Sequence, residues 1–135
     1  MENIQEREIS QKAPMPLSPR LSIYRLHPVT LASGAHRISG LVLILFVPFY
    51  IWLFIALTGS PEEFQNAIDV LRTFWGKAAL WVVGMALIYH LLNGVRFLTI
   101  DAGWTDRRDL MRSGAKVMLA IAVVVAPLLG ALLWL

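Results

Sequence analysis

The chain of 135 residues contains no cysteine. That excludes disulfides, a thiolate-held iron-sulfur cluster and a covalently attached c-type haem. Neither a Gly-x-Gly-x-x-Gly nor a P-loop sequence occurs, so no nucleotide or flavin fold is encoded. Charge is scarce as well: Asp, Glu, Lys and Arg make up 16% of the residues, against about 25% in ordinary soluble domains. What fills the chain is apolar, 57% of it, with a mean hydropathy of +0.62. A chain of this length with that balance is an integral membrane protein.

Three apolar runs carry the fold. Ile38 to Leu57 and Val117 to Leu135 are apolar stretches, and Lys77 to Ile100 is a third, each long enough for one helical span of a bilayer of about 30 Å. Ser33, His36 and Arg37 fit at headgroup level, so the first helix extends back to about Ser33. The expectation is an all-α fold with transmembrane helices over 33–57, 77–100 and 117–135 in an up-down bundle, preceded by a separate segment, 1–32. Pro48 and Pro127 fall inside the first and third helices, where each removes a backbone bond and predicts a kink.

The flanks predict orientation. Arg7, Lys12, Arg20, Arg25 and Arg37 accompany the first helix, and Arg107, Arg108, Arg112 and Lys116 lie between the second and third. The first loop and its edge carry only Arg72 and Lys77. Basic residues resist translocation, so the N-terminus and second loop are expected in the cytoplasm. The net charge of +3 follows from this topology and calls for no nucleic-acid partner. Met1 to Pro19 carries Glu2, Glu6 and Glu8 and no apolar core, unlike a cleaved leader.

The loops have their own signals. Ser60-Pro61-Glu62-Glu63 reads as an N-cap, a first-turn proline and a capping-box glutamate, followed by Phe64, Ile68, Leu71 and Trp75 at helical spacing. A short amphipathic helix on the outer membrane surface is predicted. Pro14-Met15-Pro16-Leu17-Ser18-Pro19 is too proline-rich for a helix and is expected to lie extended against another protein.

His90 stands near the middle of the second span. An ionisable group at that depth marks a functional site by default, and it can be a proton relay, a hydrogen-bonded packing residue or a metal ligand. A relay usually involves carboxylates, and no Asp or Glu lies within the three spans. His90, Gly94, Phe97 and Asp101 share one helix face, and Gly94 leaves room for a flat macrocycle or a close helix. On the first helix, Ser33, His36, Arg37 and Gly40 recur at i, i+3, i+4 and i+7. This set can donate hydrogen bonds to a carbonyl oxygen or pair with haem propionates, or can simply anchor a helix end. With His36 at the cytoplasmic edge and His90 eleven residues from Asp101, about 16 Å deep, the two histidines are expected at depths too different to share one iron.

The motifs Pro16-Leu17-Ser18-Pro19 with Ile23-Tyr24-Arg25, Ser33-x-x-His36-Arg37-x-Ser39-Gly40, and His90-x-x-x-Gly94-x-Arg96-x-Leu98-x-x-Asp101 resemble those of the cytochrome b membrane-anchor subunit of succinate dehydrogenase, complex II. The resemblance spans residues 16 to 101. It implies a four-subunit complex in the bacterial inner membrane, in which a flavoprotein subunit oxidises succinate and an iron-sulfur subunit passes electrons on. Two small anchor subunits then bind ubiquinone and share one haem b. Carried over by motif, His90 is this chain's axial ligand to the haem iron, and the second anchor subunit supplies the other. Ser33 and Arg37 line the quinone site, His36 and Arg37 lie near the haem propionates, and the proline-rich segment docks the iron-sulfur subunit. Donors fixed at Ser33 and Arg37 would stabilise the negative charge that develops on a quinone oxygen during reduction.

Two departures stand out. Phe97 occupies a position where the family usually has histidine, and Met15 and Arg20 flank Pro-Leu-Ser-Pro where Arg and His are usual. The alternatives are a menaquinol-using fumarate reductase anchor, a haem-free structural or assembly protein in which His90 only packs, and a small transporter, which the lack of membrane carboxylates disfavours.

Overall fold

The computed structural model describes residues 27–135, and among these every regular element is an α-helix. The proline-rich segment, the Ile23-Tyr24-Arg25 motif and the basic residues ahead of His27 lie outside the described residues. Five helices follow in order: α1 Pro28–Leu45, α2 Val47–Thr58, α3 Pro61–Arg72, α4 Phe74–Asp101 and α5 Arg108–Trp134. α1, α4 and α5 are long and apolar enough to cross a membrane. α1, α4 and α5 pack against one another in every pairing. This is an all-α, multi-pass membrane bundle.

The expected first helix is two helices. α1 starts at Pro28, whose fixed φ suits the first helical position. It ends at Phe46 (φ −88°, ψ 4°), and Pro48 opens α2. Pro48 cannot donate to the carbonyl of Ile44 and its ring crowds that oxygen. Beyond this break α2 leaves the bundle and touches only α1 and α3. At Pro127, in contrast, α5 runs on without interruption from Arg108 to Trp134.

The amphipathic helix forms where the capping signal predicted it. Ser60 N donates to Glu63 Oε2 at 2.7 Å, and Glu63 N donates to Ser60 Oγ at 3.3 Å, so two otherwise orphan donors are satisfied reciprocally. α3 packs on α2 through small residues, Ala67 and Ala56 both being buried. Thr73 then caps α4, accepting from Gly76 N at 3.1 Å while its hydroxyl donates to Val70 O at 2.6 Å. Gly76 is buried against the backbone of Val70 and Leu71, and a Cβ there would overlap it.

What the bundle buries is small or polar. Its buried apolar residues are Ala32, Ala56, Ala67, Ala86, Ala115 and Tyr89, and its buried polar ones are Ser39, Asn93 and Arg96. Large aliphatic side chains point outward, Ile38 at 65% and Ile44 at 69% exposure among them. In water that arrangement would cost heavily. In a bilayer it is expected, because lipid solvates Leu and Ile, while small residues let helix backbones approach.

Candidate functional site

The site is built where α1 and α4 cross. Each helix brings a histidine followed one turn later by glycine, His36 with Gly40 and His90 with Gly94. Because the helices run in opposite directions, each histidine meets the other helix's glycine. A Cβ on Gly40 would lie 3.0 Å from His90 Cε1, and one on Gly94 would lie 3.7 Å from His36 Nε2. The two imidazoles stack between these glycines, centroids 4.0 Å apart and planes inclined by 11°. Phe97 closes the edge, in T-shaped contact with His36 at 5.2 Å.

This corrects the expected difference in depth between His36 and His90. The first helix begins at Pro28 and not at Ser33, so His36 lies eight residues inside it, about 12 Å along the axis. The gap to His90 shrinks to less than one helical turn, which side-chain direction bridges. The stack also shows that Gly94 accommodates a close helix, since α1 fills the space opposite it.

His90 is held at one ring nitrogen. Its Nδ1 lies 3.1 Å from Ser39 Oγ and 3.2 Å from the carbonyl of His36. Ser39 commits its only hydroxyl proton to that same carbonyl, at 2.7 Å. Both groups facing Nδ1 are therefore acceptors, so Nδ1 carries the proton and donates to them. The neutral ring then has its lone pair on Nε2, which makes no hydrogen bond among the described residues.

A polar chain ties the N-terminal part of α1 to the C-terminal half of α4 and the start of α5. Tyr89 Oη and Asn93 Nδ2 both donate to the carbonyl of Ala32, at 3.0 and 3.2 Å. Arg96 donates to Asn93 Oδ1 at 3.4 Å and to the carbonyl of Met111 on α5 at 3.1 Å. Arg96 is only 6% exposed, lies 5.4 Å over the Phe97 ring and leaves its Nε unpaired among the described residues. Gly114 on α5 makes room for it, since a Cβ there would lie 3.4 Å from Nε. Ala32 precedes Ser33 and lies one turn before His36, so this chain fixes the helix turn that carries them.

Ser33 is half-buried and Arg37 exposed, one turn apart on α1. No hydrogen bond or ion pair engages either side chain among the described residues. Arg37 therefore points out of the bundle, its donors unengaged among the described residues. The sequence motifs contain Ser39 and Arg96 but assign neither a role. Asn93 was overlooked, although an amide three residues from His90 within a span is a signal in itself.

Residues 11–129 match the family described as succinate dehydrogenase/fumarate reductase transmembrane subunit. The chain is 30% identical over 123 residues to a succinate dehydrogenase cytochrome b556 subunit of Coxiella burnetii, covering 90% of this chain and 98% of that one. It is 35% identical over 113 residues to the subunit of that name from Paracoccus denitrificans, covering 84% and 87% of the two chains. A third subunit of that name, from Rickettsia felis, is 34% identical over 101 residues, covering 73% and 75%. With its three membrane-crossing helices and the paired histidine-glycine crossing of α1 and α4, the chain belongs to the succinate dehydrogenase/fumarate reductase family of transmembrane cytochrome b subunits.

Proposed function

We propose that the chain is the membrane-anchor and haem b-binding subunit of a succinate:ubiquinone oxidoreductase of the bacterial inner membrane. The observation that carries this reading is the placement of His90 Nδ1 against two acceptors, Ser39 Oγ and the His36 carbonyl, which assigns the proton to Nδ1 and the lone pair to Nε2. Neutral imidazole with its other nitrogen bonded to a carbonyl is what an axial ligand requires. The donor set thus fits haem b, which would supply a one-electron carrier at this depth.

The second axial imidazole comes from the other small anchor subunit. His36 cannot supply it, since rings stacked at 4.0 Å leave no slot for a macrocycle between them. His27 lies ahead of Pro28, outside α1. On this reading the partner anchor subunit supplies the second ligand. His36 and Arg37 sit where a propionate could be met, His36 holding the ring plane of His90 and Arg37 reaching outward.

Ser33 and Arg37 form the cytoplasmic-side quinone pocket of this chain. Arg37 donates to a quinone oxygen and stabilises negative charge there, and the Ser33 hydroxyl orients the same oxygen. The segment ahead of α1 docks the iron-sulfur subunit, which with the flavoprotein subunit completes the complex. A menaquinol-using fumarate reductase shares this architecture, and the quinone that supports turnover separates the two.

Replacing His90 with Ala in the assembled complex tests the ligand. The reduced-minus-oxidised difference spectrum should lose its b-haem band, while the four subunits still copurify. Unchanged haem content and spectrum would refute the assignment.

A further inference from the structure

We infer that Ser39 is a positioning residue that sets both the ring orientation and the electron-donor strength of His90. This rests on the proposed ligand role of His90 and deepens it.

The argument begins with proton counting. Ser39 has one hydroxyl proton, and it goes to the carbonyl of its own i−3 residue, His36, at 2.7 Å. The lone pairs of Oγ are thereby turned toward His90 Nδ1, 3.1 Å away. At 6% exposure Ser39 is shielded from solvent that could replace it. The other acceptor at Nδ1 among the described residues is the His36 carbonyl at 3.2 Å, which already receives the Ser39 hydroxyl. The ring is thus held by a triangle of Nδ1–H, hydroxyl and carbonyl, with Ser39 on two of its three edges.

Two consequences follow. An acceptor on Nδ1–H raises the basicity of the opposite nitrogen, so Nε2 becomes the stronger donor and favours ferric over ferrous iron. The triangle also fixes rotation of the imidazole about its Cβ–Cγ bond, against the face of His36 on one side and Gly40 on the other. Ser39→Ala removes one of the two acceptors facing Nδ1–H and leaves it the His36 carbonyl. Thr at the same position keeps an Oγ1 that can bond the i−3 carbonyl from within a helix.

The test is made on the purified, assembled complex with Ser39→Ala, Ser39→Thr and His90→Ala. Ser39→Ala should retain haem but raise its midpoint potential and shift the low-spin ferric resonance, and Ser39→Thr should restore both toward wild type. If Ser39→Ala fails to retain haem, Ser39→Cys, a weaker acceptor of similar size, takes its place with the same expectation. An unchanged potential and resonance in Ser39→Ala, or Ser39→Thr behaving like Ser39→Ala, overturns the role of Ser39. Retention of the haem band in His90→Ala overturns instead the ligand reading beneath it, so the two failures are distinct.

Discussion

At the scale of single residues, the protein separates side chains that hold from side chains that reach. His90, Ser39, Asn93 and Arg96 all make hydrogen bonds inside the bundle, and the last three are buried. Leaving the partner of any one of them unsatisfied would cost about 1–3 kcal/mol, so substitutions there affect folding as well as function. Arg37 is different, being exposed and unbonded among the described residues. Arg37→Ala should therefore leave assembly intact and slow quinone reduction about tenfold to a hundredfold, the value of one charge-assisted bond. Succinate oxidation by a soluble dye should persist, and equal loss of both activities would contradict the quinone role. His90 was legible in the sequence because an imidazole within an apolar run has few explanations. The Tyr89, Asn93 and Arg96 chain was not, because its acceptors are backbone carbonyls of Ala32 and Met111, which no residue type announces.

Elements show the same division. The α3 capping box was readable because it is local, spanning Ser60 to Glu63. Its pH dependence follows from Glu63, whose carboxyl is held below its usual pKa, first by the Ser60 backbone N–H and then by the Ser60 hydroxyl. A group whose folded pKa is lowered stabilises the structure above its unfolded value, and that stabilisation is lost as pH falls through the folded one. Amide protection at Ser60 should hold at neutral pH and decline on acidification below the ordinary carboxylate range. In Glu63→Gln it should be insensitive to pH over that window, and a flat wild-type profile would contradict the assignment. The prolines were less transparent. Pro48 ends α1 while Pro127 sits within an unbroken α5, although each lacks the same backbone donor. α5 stays packed along α4, with Trp81 Nε1 donating to the Ala126 carbonyl at 2.9 Å, whereas α2 packs on α3 and leaves α4 and α5.

For the molecule as a whole, the sparse interior and the apolar exterior describe a subunit whose solvent is lipid and neighbouring chains. The expected orientation has the α4–α5 loop in the cytoplasm and α3 on the outer face. The absence of cysteine allows a direct test, since an introduced thiol is unique in this chain. Asp106→Cys should react with an impermeant maleimide only from the cytoplasmic side and Gln65→Cys only from the outer side, both positions being exposed. The reverse pattern would invert the topology. By itself the sequence determined the membrane class, the number of spans and the capped amphipathic helix, and it singled out His90, because hydropathy, capping and a lone ionisable residue act over short stretches of chain. Only the tertiary structure decided that His36 stacks on His90, that Ser39 fixes its proton and that Arg96 is buried against α5. Those depend on where each helix starts and which face it turns to its neighbour, and these are set by packing between different helices, as between Ser39 and His90 or between Arg96 and Met111.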